Sequence, residues 1–163
     1  MCLNLVKGKT RVMTAKEDIV CWKVLLWFPR YGTYMSPYQS QVYQLESTVK
    51  TDAPWEMDEY KIVMVGTDPE DKQLNVTHMV SSGGYHTFRD KQDAVNFAKW
   101  WWYSSSNCVN IPVVAKCIIP KGTEYYDGYF AAFGYNDGFL VPSFASKSLT
   151  VTSVVIRPQE YHD

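Results

Sequence analysis

His86 is the side chain of this sequence that is best placed to do chemistry. It follows Gly83 and Gly84 and lies between Tyr85 and Thr87, in a short strand-like segment directly before a helix. A histidine at a strand end can face a pocket and act there as an acid, a base or a hydrogen-bonding group. The alternative is a half-buried structural histidine that the backbone satisfies, and the residue pattern alone favours this alternative.

A second chemically suggestive segment, residues 124–127, brings two carboxylates, Glu124 and Asp127, after a turn at residues 120–123. Two carboxylates can divide the acid and base roles of a reaction between them. Residues three apart on a strand face opposite sides of the sheet, so the pattern favours solvated carboxylates at the end of a hairpin.

The four cysteines show no spacing typical of a metal site or a redox motif; they are Cys2, Cys21, Cys108 and Cys117. A Cys-x-x-Cys pair is absent from the sequence, and so are the Gly-x-Gly-x-x-Gly and P-loop patterns. We therefore predict neither a metal site nor a cofactor. Nothing in the spacing supports a nucleophilic pair between one of these thiols and His86.

Aromatic and cationic side chains indicate a binding function. Residues 30–34 combine Arg30 with two tyrosines, and such a loop can stack on a base and contact a phosphate, although it can equally be an aromatic-rich surface loop. Three consecutive tryptophans at residues 100–102 point in three directions around a helix, so at least one is expected to reach a sheet, a partner subunit or a ligand. The predicted ligand-binding residues are Arg30, Tyr31, Tyr34, Tyr85, His86, Arg89, Trp100 and Lys121.

The hydrophobic pattern predicts the scaffold that must position these residues. A helix is predicted over about residues 90–103, where Asp90 can cap the first turn and apolar residues recur at helical spacing. Residues 18–28 predict a central strand that is covered on both faces, because both faces of the strand are apolar. Residues 111–119 predict a second strong strand, and Asp127-Gly128 is interpreted as a turn. One principal helix and a mostly antiparallel sheet of about seven strands predict an α+β fold.

Composition limits the classes of partner and compartment. The 163 residues suit a single domain, residues 1–163, and a net charge of -1 is no electrostatic match for a nucleic acid duplex. No secretory signal and no apolar run long enough to span a membrane is evident, so we expect a cytoplasmic protein with free thiols and no membrane partner. The aromatic share of 15% is high, and surplus aromatic surface is often buried between subunits, which favours a homo-oligomer.

Four segments together resemble a group of small uncharacterised proteins from phages and gut bacteria. The segments are DIVCWKVL, SPY, GYHTF and KCIIPKGTEYYDG, in this order between residues 18 and 128. The resemblance implies a phage or bacterial context, and hence the cytoplasm of a bacterial host cell, but it brings no established activity. Phage accessory proteins of this size are often counter-defence binders.

A second similarity is to the ADP-ribosyltransferase-like fold. Residues 86–88 before the helix and residues 119–124 resemble later strands of those enzymes, which would place His86 and Glu124 at work on NAD. The early strand position, where those enzymes carry Arg or His, holds Trp22-Lys23 in this chain.

Two functional hypotheses follow. The first is a non-catalytic binding protein, in a phage a counter-defence protein, that binds a nucleotide-like small molecule or a host protein. The alternative is an ADP-ribosyltransferase-like enzyme that acts on NAD through His86 and Glu124. The sequence shows no convincing set of catalytic residues, which favours the first hypothesis, a protein without enzymatic activity. A purely structural or protein-interaction domain is a third hypothesis.

Overall fold

One antiparallel sheet organises the described part of the chain. The computed structural model describes residues 2–65, 73–104, 110–131 and 140–157. Its strands are β1 (Leu3–Val6), β2 (Met13–Thr14), β3 (Ile19–Phe28), β4 (Thr33–Met35), β5 (Val42–Tyr43), β6 (Ser47–Lys50), β7 (Glu56–Val65), β8 (Gln73–Ser82), β9 (Tyr85–Phe88), β10 (Ile111–Ile119), β11 (Glu124–Phe130), β12 (Val141–Ser146) and β13 (Ser148–Ile156). The helix α1 spans Lys91–Ser104. None of the helical structure in these ranges is long and apolar enough to cross a membrane.

The predicted α+β fold of about seven strands is wrong. The described residues form 13 strands and one helix, so the architecture is essentially all-β with a single helix on the sheet. Several strands have only two to four residues, which is too short for an alternating pattern to be recognised. The helix itself lies within one residue of its predicted range at each end.

The Asp127-Gly128 pair is not a turn, because β11 continues through it. Gly128 is needed there for space rather than for backbone freedom. A Cβ atom at this position would lie 2.5 Å from the carbonyl oxygen of Asn4 and 2.9 Å from a side-chain carbon of Leu3, both on the neighbouring strand β1. The glycine thus permits a close approach of two strands, which a sequence pattern cannot distinguish from a turn.

The strand order is β6-β13-β10-β3-β9-β12-β11-β1-β8-β7, with β4 and β5 added beside β3 and β2 beside β11. The strand β3 pairs with β10 without interruption from Ile19 to Trp27. On its other side β3 meets β9 at a single residue pair, Trp22 and Phe88. We call the place where these two strands separate the β3–β9 seam.

Hydrophobic clusters cover both faces of β3, as its apolar pattern predicted. Neighbouring strand residues face opposite sides, so Cys21 and Leu25 join one cluster whereas Val24 joins the other. The second cluster lies under α1, which buries Ala94, Phe97 and Ala98. The helix contacts β3, β9 and β10, and therefore bridges the two strands that separate at the seam.

The three tryptophans of α1 pack against this same second cluster. Trp100, Trp101 and Trp102 are all half-buried, whereas the next residue, Tyr103, is 64% exposed. Each tryptophan therefore packs partly against the core and is partly exposed at the surface.

Among the described strands, β7 is the last one on one side of the sheet. It pairs with β8, and the register of this pair shifts between Glu59 and Ile62, which marks a bulge. Ile62 and Val63 are exposed on this strand, among the charged residues Glu56, Asp58 and Lys61.

The close approach at Gly128 gives a stability test. We expect Gly128→Ala to lower the free energy of unfolding by about 2–3 kcal/mol, because the added methyl group overlaps the β1 backbone. Gly122→Ala is the matched control: its methyl group would meet nothing within 4 Å, so its cost is limited to the left-handed backbone, about 1 kcal/mol. Urea unfolding measures both, and equal costs would contradict the tight β1–β11 contact.

Candidate functional site

A buried lysine occupies the β3–β9 seam. Lys23 is only 3% exposed, and its Nζ donates a hydrogen bond of 2.6 Å to the backbone carbonyl of His86 on β9. The two strands no longer pair at this point, so the ammonium group supplies the donor that a backbone N–H would supply in a continuous ladder. The same Nζ lies 5.4 Å from the centre of the Tyr43 ring.

The charge of Lys23 has no counter-charge among the described residues. Burial lowers its pKa from 10.5 to about 8, which leaves it mostly protonated at neutral pH. The titratable groups that act on it are the thiols of Cys117 and Cys21, which face each other across β10 and β3. Burial raises the pKa of both thiols, that of Cys21 to about 12, so neither supplies a negative charge. An uncompensated buried ion costs several kcal/mol.

His86 shares this seam and is held in its neutral form. The residue is 2% exposed, and its Nε2 is buried without a hydrogen-bond partner among the described residues. Burial, together with the positive charge of Lys23, lowers the pKa of His86 to about 3. Such a weak base is poorly matched to proton abstraction at neutral pH. The geometry suits a hydrogen-bonding role for this side chain.

A small, partly open cavity of about 20 Å³ lies at the seam, and we call it the seam cavity. Lys23 and His86 line it together with Phe97, and the loop at residues 36–39 covers it. The ring of Tyr38 in this loop lies 6.1 Å from Phe97 and 5.6 Å from Trp101, measured between ring centres. This volume holds about one water-sized molecule and excludes a nucleotide.

A larger and more open groove lies where β6 and β10 end and β11 begins. This basic groove has a volume of about 460 Å³ and is lined by the lysines Lys50, Lys121 and Lys147 and by the carboxylates Asp52 and Glu124. Three cations against two anions leave the lining with a net charge of +1. Its volume is in the range of small-molecule sites in proteins.

Backbone and side-chain bonds fix the turn that carries Lys121. The N–H of Lys121 donates to the Asp18 carboxylate at 2.8 Å, and the N–H of Gly122 donates to the carbonyl of Ala15 at 2.8 Å. Lys147 is also held, because its Nζ donates to the carbonyl of Ala53. The backbone of the Lys121 turn and the ammonium group of Lys147 are therefore held in place at the basic groove.

A second groove of about 290 Å³, here the amide groove, adjoins the first. Thr51 lines both, and the amide groove also carries Gln39, Gln41 and Tyr85. Lys147 contacts the chain at residues 53–55 twice. Its Nζ donates to the carbonyl of Ala53 and lies 4.3 Å from the ring centre of Trp55.

The structure brings few of the predicted ligand-binding residues together. Lys121 lines the basic groove, Tyr85 the amide groove and His86 the seam cavity. The others lie apart: Arg30 with Tyr31 in the exposed β3–β4 turn, Tyr34 against Trp27, Arg89 in an ion pair with Asp127, and Trp100 against Phe97.

His86 and Glu124, the pair expected of an enzyme acting on NAD, do not share a cavity. The strand β12 lies between their strands β9 and β11, so the two backbones are at least two strand spacings apart, about 9–10 Å. His86 is buried in the seam, whereas Glu124 is exposed in the basic groove.

Sequence reasoning missed Lys23, Lys50 and Lys147. A signal for Lys23 was present, because it is the one charged residue in the apolar run of β3. Lys50 and Lys147 carry no local signal, since they come near Lys121 through the pairing of β6 with β13, the pairing of β13 with β10 and the backbone bond from Lys147 to Glu124.

Within the described ranges, no group of three or more His, Cys, Asp or Glu side chains is placed to hold a metal ion. The thiols of Cys2, Cys21 and Cys117 are free, and Cys108 lies outside the described residues. Comparison with protein-family models, curated proteins and solved structures found no match.

The buried charge of Lys23 gives a pH test with Lys23→Met, which keeps the length of the side chain. The pKa in the fold, about 8, is below the unfolded value of 10.5, so the unfolded chain binds more protons between these values and stability rises with pH. From pH 7 to 11 we expect the wild type to gain on the order of 3 kcal/mol relative to Lys23→Met. Urea unfolding in phosphate–borate buffer measures the difference.

Lys61→Met, at an exposed position on β7, is the control for the loss of a lysine as such. A constant difference between wild type and Lys23→Met over this pH range would contradict an uncompensated charge at the seam.

His86 predicts a loss of stability in acid. Its pKa of about 3 in the fold is below the unfolded value of 6.5, so the unfolded chain takes up the proton first, and stability falls as the pH drops from 6.5 towards 3. We expect the wild type to lose about 3 kcal/mol by pH 4 through this group, and His86→Asn to lack that contribution. His78→Asn is the control. Urea unfolding between pH 7 and 4 measures the free energy of unfolding of each protein. Parallel plots of this free energy against pH for wild type and His86→Asn would exclude a buried neutral imidazole.

Proposed function

We propose that this protein is a non-catalytic binding protein for a small, anionic, nucleotide-like molecule. The observation that carries the proposal is the convergence of Lys50, Lys121 and Lys147 on one open groove of about 460 Å³. Lysine binds phosphate oxygens as a point charge with three donors, and several lysines around one space favour a ligand with more than one negative charge.

The adjoining amide groove supports a ligand with a polar ring system. Gln39 and Gln41 offer side-chain amides, which can pair with the donor and acceptor edge of a base, and Tyr85 contributes to the wall of the same groove. Because Thr51 lines both grooves, a molecule with phosphates at one end and a base at the other can reach from one to the other.

Binding without catalysis is supported by the separation of the reactive groups. His86 is neutral, buried and outside both grooves, and the described lining of the two grooves contains neither a histidine nor a cysteine beside the exposed carboxylate of Glu124. In the phage context that the sequence resemblance implies, sequestering a host nucleotide would be a counter-defence activity in the bacterial cytoplasm.

Thermal melting against nucleotides, cyclic nucleotides, NAD and ADP-ribose tests the proposal. A ligand at a hundredfold its Kd should raise the stability by about 2.7 kcal/mol and the Tm by about 5–10 °C. Lys121→Glu should weaken that binding about tenfold or more, because it replaces an attraction by a repulsion, whereas Lys61→Glu on the distant strand β7 should leave it unchanged.

The fate of the ligand separates the hypotheses. Recovery of the intact molecule supports a binding protein. Recovery of free nicotinamide, released by cleavage of NAD, would instead support an enzyme acting on NAD. No Tm shift across the panel would exclude the small-molecule proposal and direct attention to a host protein, which affinity capture would then identify.

A further inference from the structure

The seam cavity is a separate site, and its chemistry differs from that of the basic groove. The Lys23 ammonium has three N–H donors, and the described residues supply one hydrogen-bond acceptor, the carbonyl of His86. The face of the Tyr43 ring offers a further weak electrostatic contact at 5.4 Å. The remaining donor capacity belongs to a charged group that is almost completely removed from solvent.

The polar groups around the cavity are suited to an anion. Besides Lys23, the lining includes His86, whose buried Nε2 has no partner among the described residues, and the residue Ser36. The hydroxyl of Ser36 and the Nε2–H tautomer of His86 can both donate. No carboxylate lines the cavity, so its described lining contains a positive charge and donors without a negative charge.

We propose that the seam cavity binds one small monovalent anion of the halide type between the Lys23 ammonium and the donors of His86 and Ser36. A water molecule would fill the same space and satisfy hydrogen bonds, but it would leave the buried charge uncompensated. An anion satisfies both requirements at once.

Size and wall chemistry define which anions enter. The space has room for about one water-sized molecule, so it suits a single small ion and not a nucleotide. The remaining walls are apolar and include Val24, Phe88 and Phe97, so an ion that gives up its hydration easily is favoured over the strongly hydrated fluoride and sulfate. The expected order of binding is therefore bromide and chloride before fluoride, with no binding of sulfate.

This order is opposite to the general effect of salts on protein stability, in which excluded ions such as sulfate stabilise. Protein prepared without halide should be titrated with sodium bromide, chloride, fluoride and sulfate at constant ionic strength, held with sodium gluconate. We expect a saturable rise in Tm with bromide and chloride, of about 5 °C or more at a hundredfold the Kd, and no saturable rise with fluoride or sulfate.

Lys23→Met should lose the halide-dependent rise, and Lys61→Met should retain it. An equal rise in Lys23→Met, or the absence of a saturable rise in the wild type, would overturn the proposal. A crystal grown in bromide provides a second measurement that does not depend on any variant. An anomalous peak in the seam cavity supports the site, and a water molecule there at saturating bromide overturns it.

Discussion

The hydrogen bond from Lys23 to the His86 carbonyl extends the contact between β3 and β9 beyond the point where their backbones pair. On one side of the seam lie β6, β13, β10 and β3, and on the other side lie β9 and the strands that follow it to β7. Among the described strands, ladder pairing joins these halves only at Trp22 and Phe88. The lysine adds a second bond across the gap, and α1 spans it from the opposite face. A charged side chain is thus retained in the interior because the backbone there needs a donor.

The basic groove and the seam cavity use lysine in two different ways. In the groove, Lys50, Lys121 and Lys147 come from the end of a strand and from two connections, where exposed side chains can change without disturbing the ladder. In the seam, Lys23 is part of a central strand, and its environment is fixed by packing on both faces. The selectivity that we propose for the groove therefore depends on surface charge, whereas the selectivity that we propose for the seam depends on a fixed and mostly apolar lining.

The sequence predicted those features that depend on local periodicity. The spacing of apolar residues placed α1, and the continuous apolar run of β3 predicted a strand covered on both faces. It failed for β12, where Pro142 and the small residues around it hide a strand, and for β11, where Gly128 was interpreted as a turn. It also could not assemble the basic groove, because Lys50 and Lys121 are far apart in the chain and meet only through the pairing of β6, β13 and β10.

The bulge and the charges of β7 bear on whether a strand of another molecule can pair with β7. A terminal strand offers unpaired backbone groups to any other strand, and the exposed Ile62 and Val63 would make such an encounter favourable. The irregular register beside Glu59 twists this strand, and Glu56 and Asp58 would have to be desolvated if another chain were added. The bulge and the charges therefore make the addition of another strand beside β7 less favourable, as gatekeeper residues do beside other hydrophobic strands.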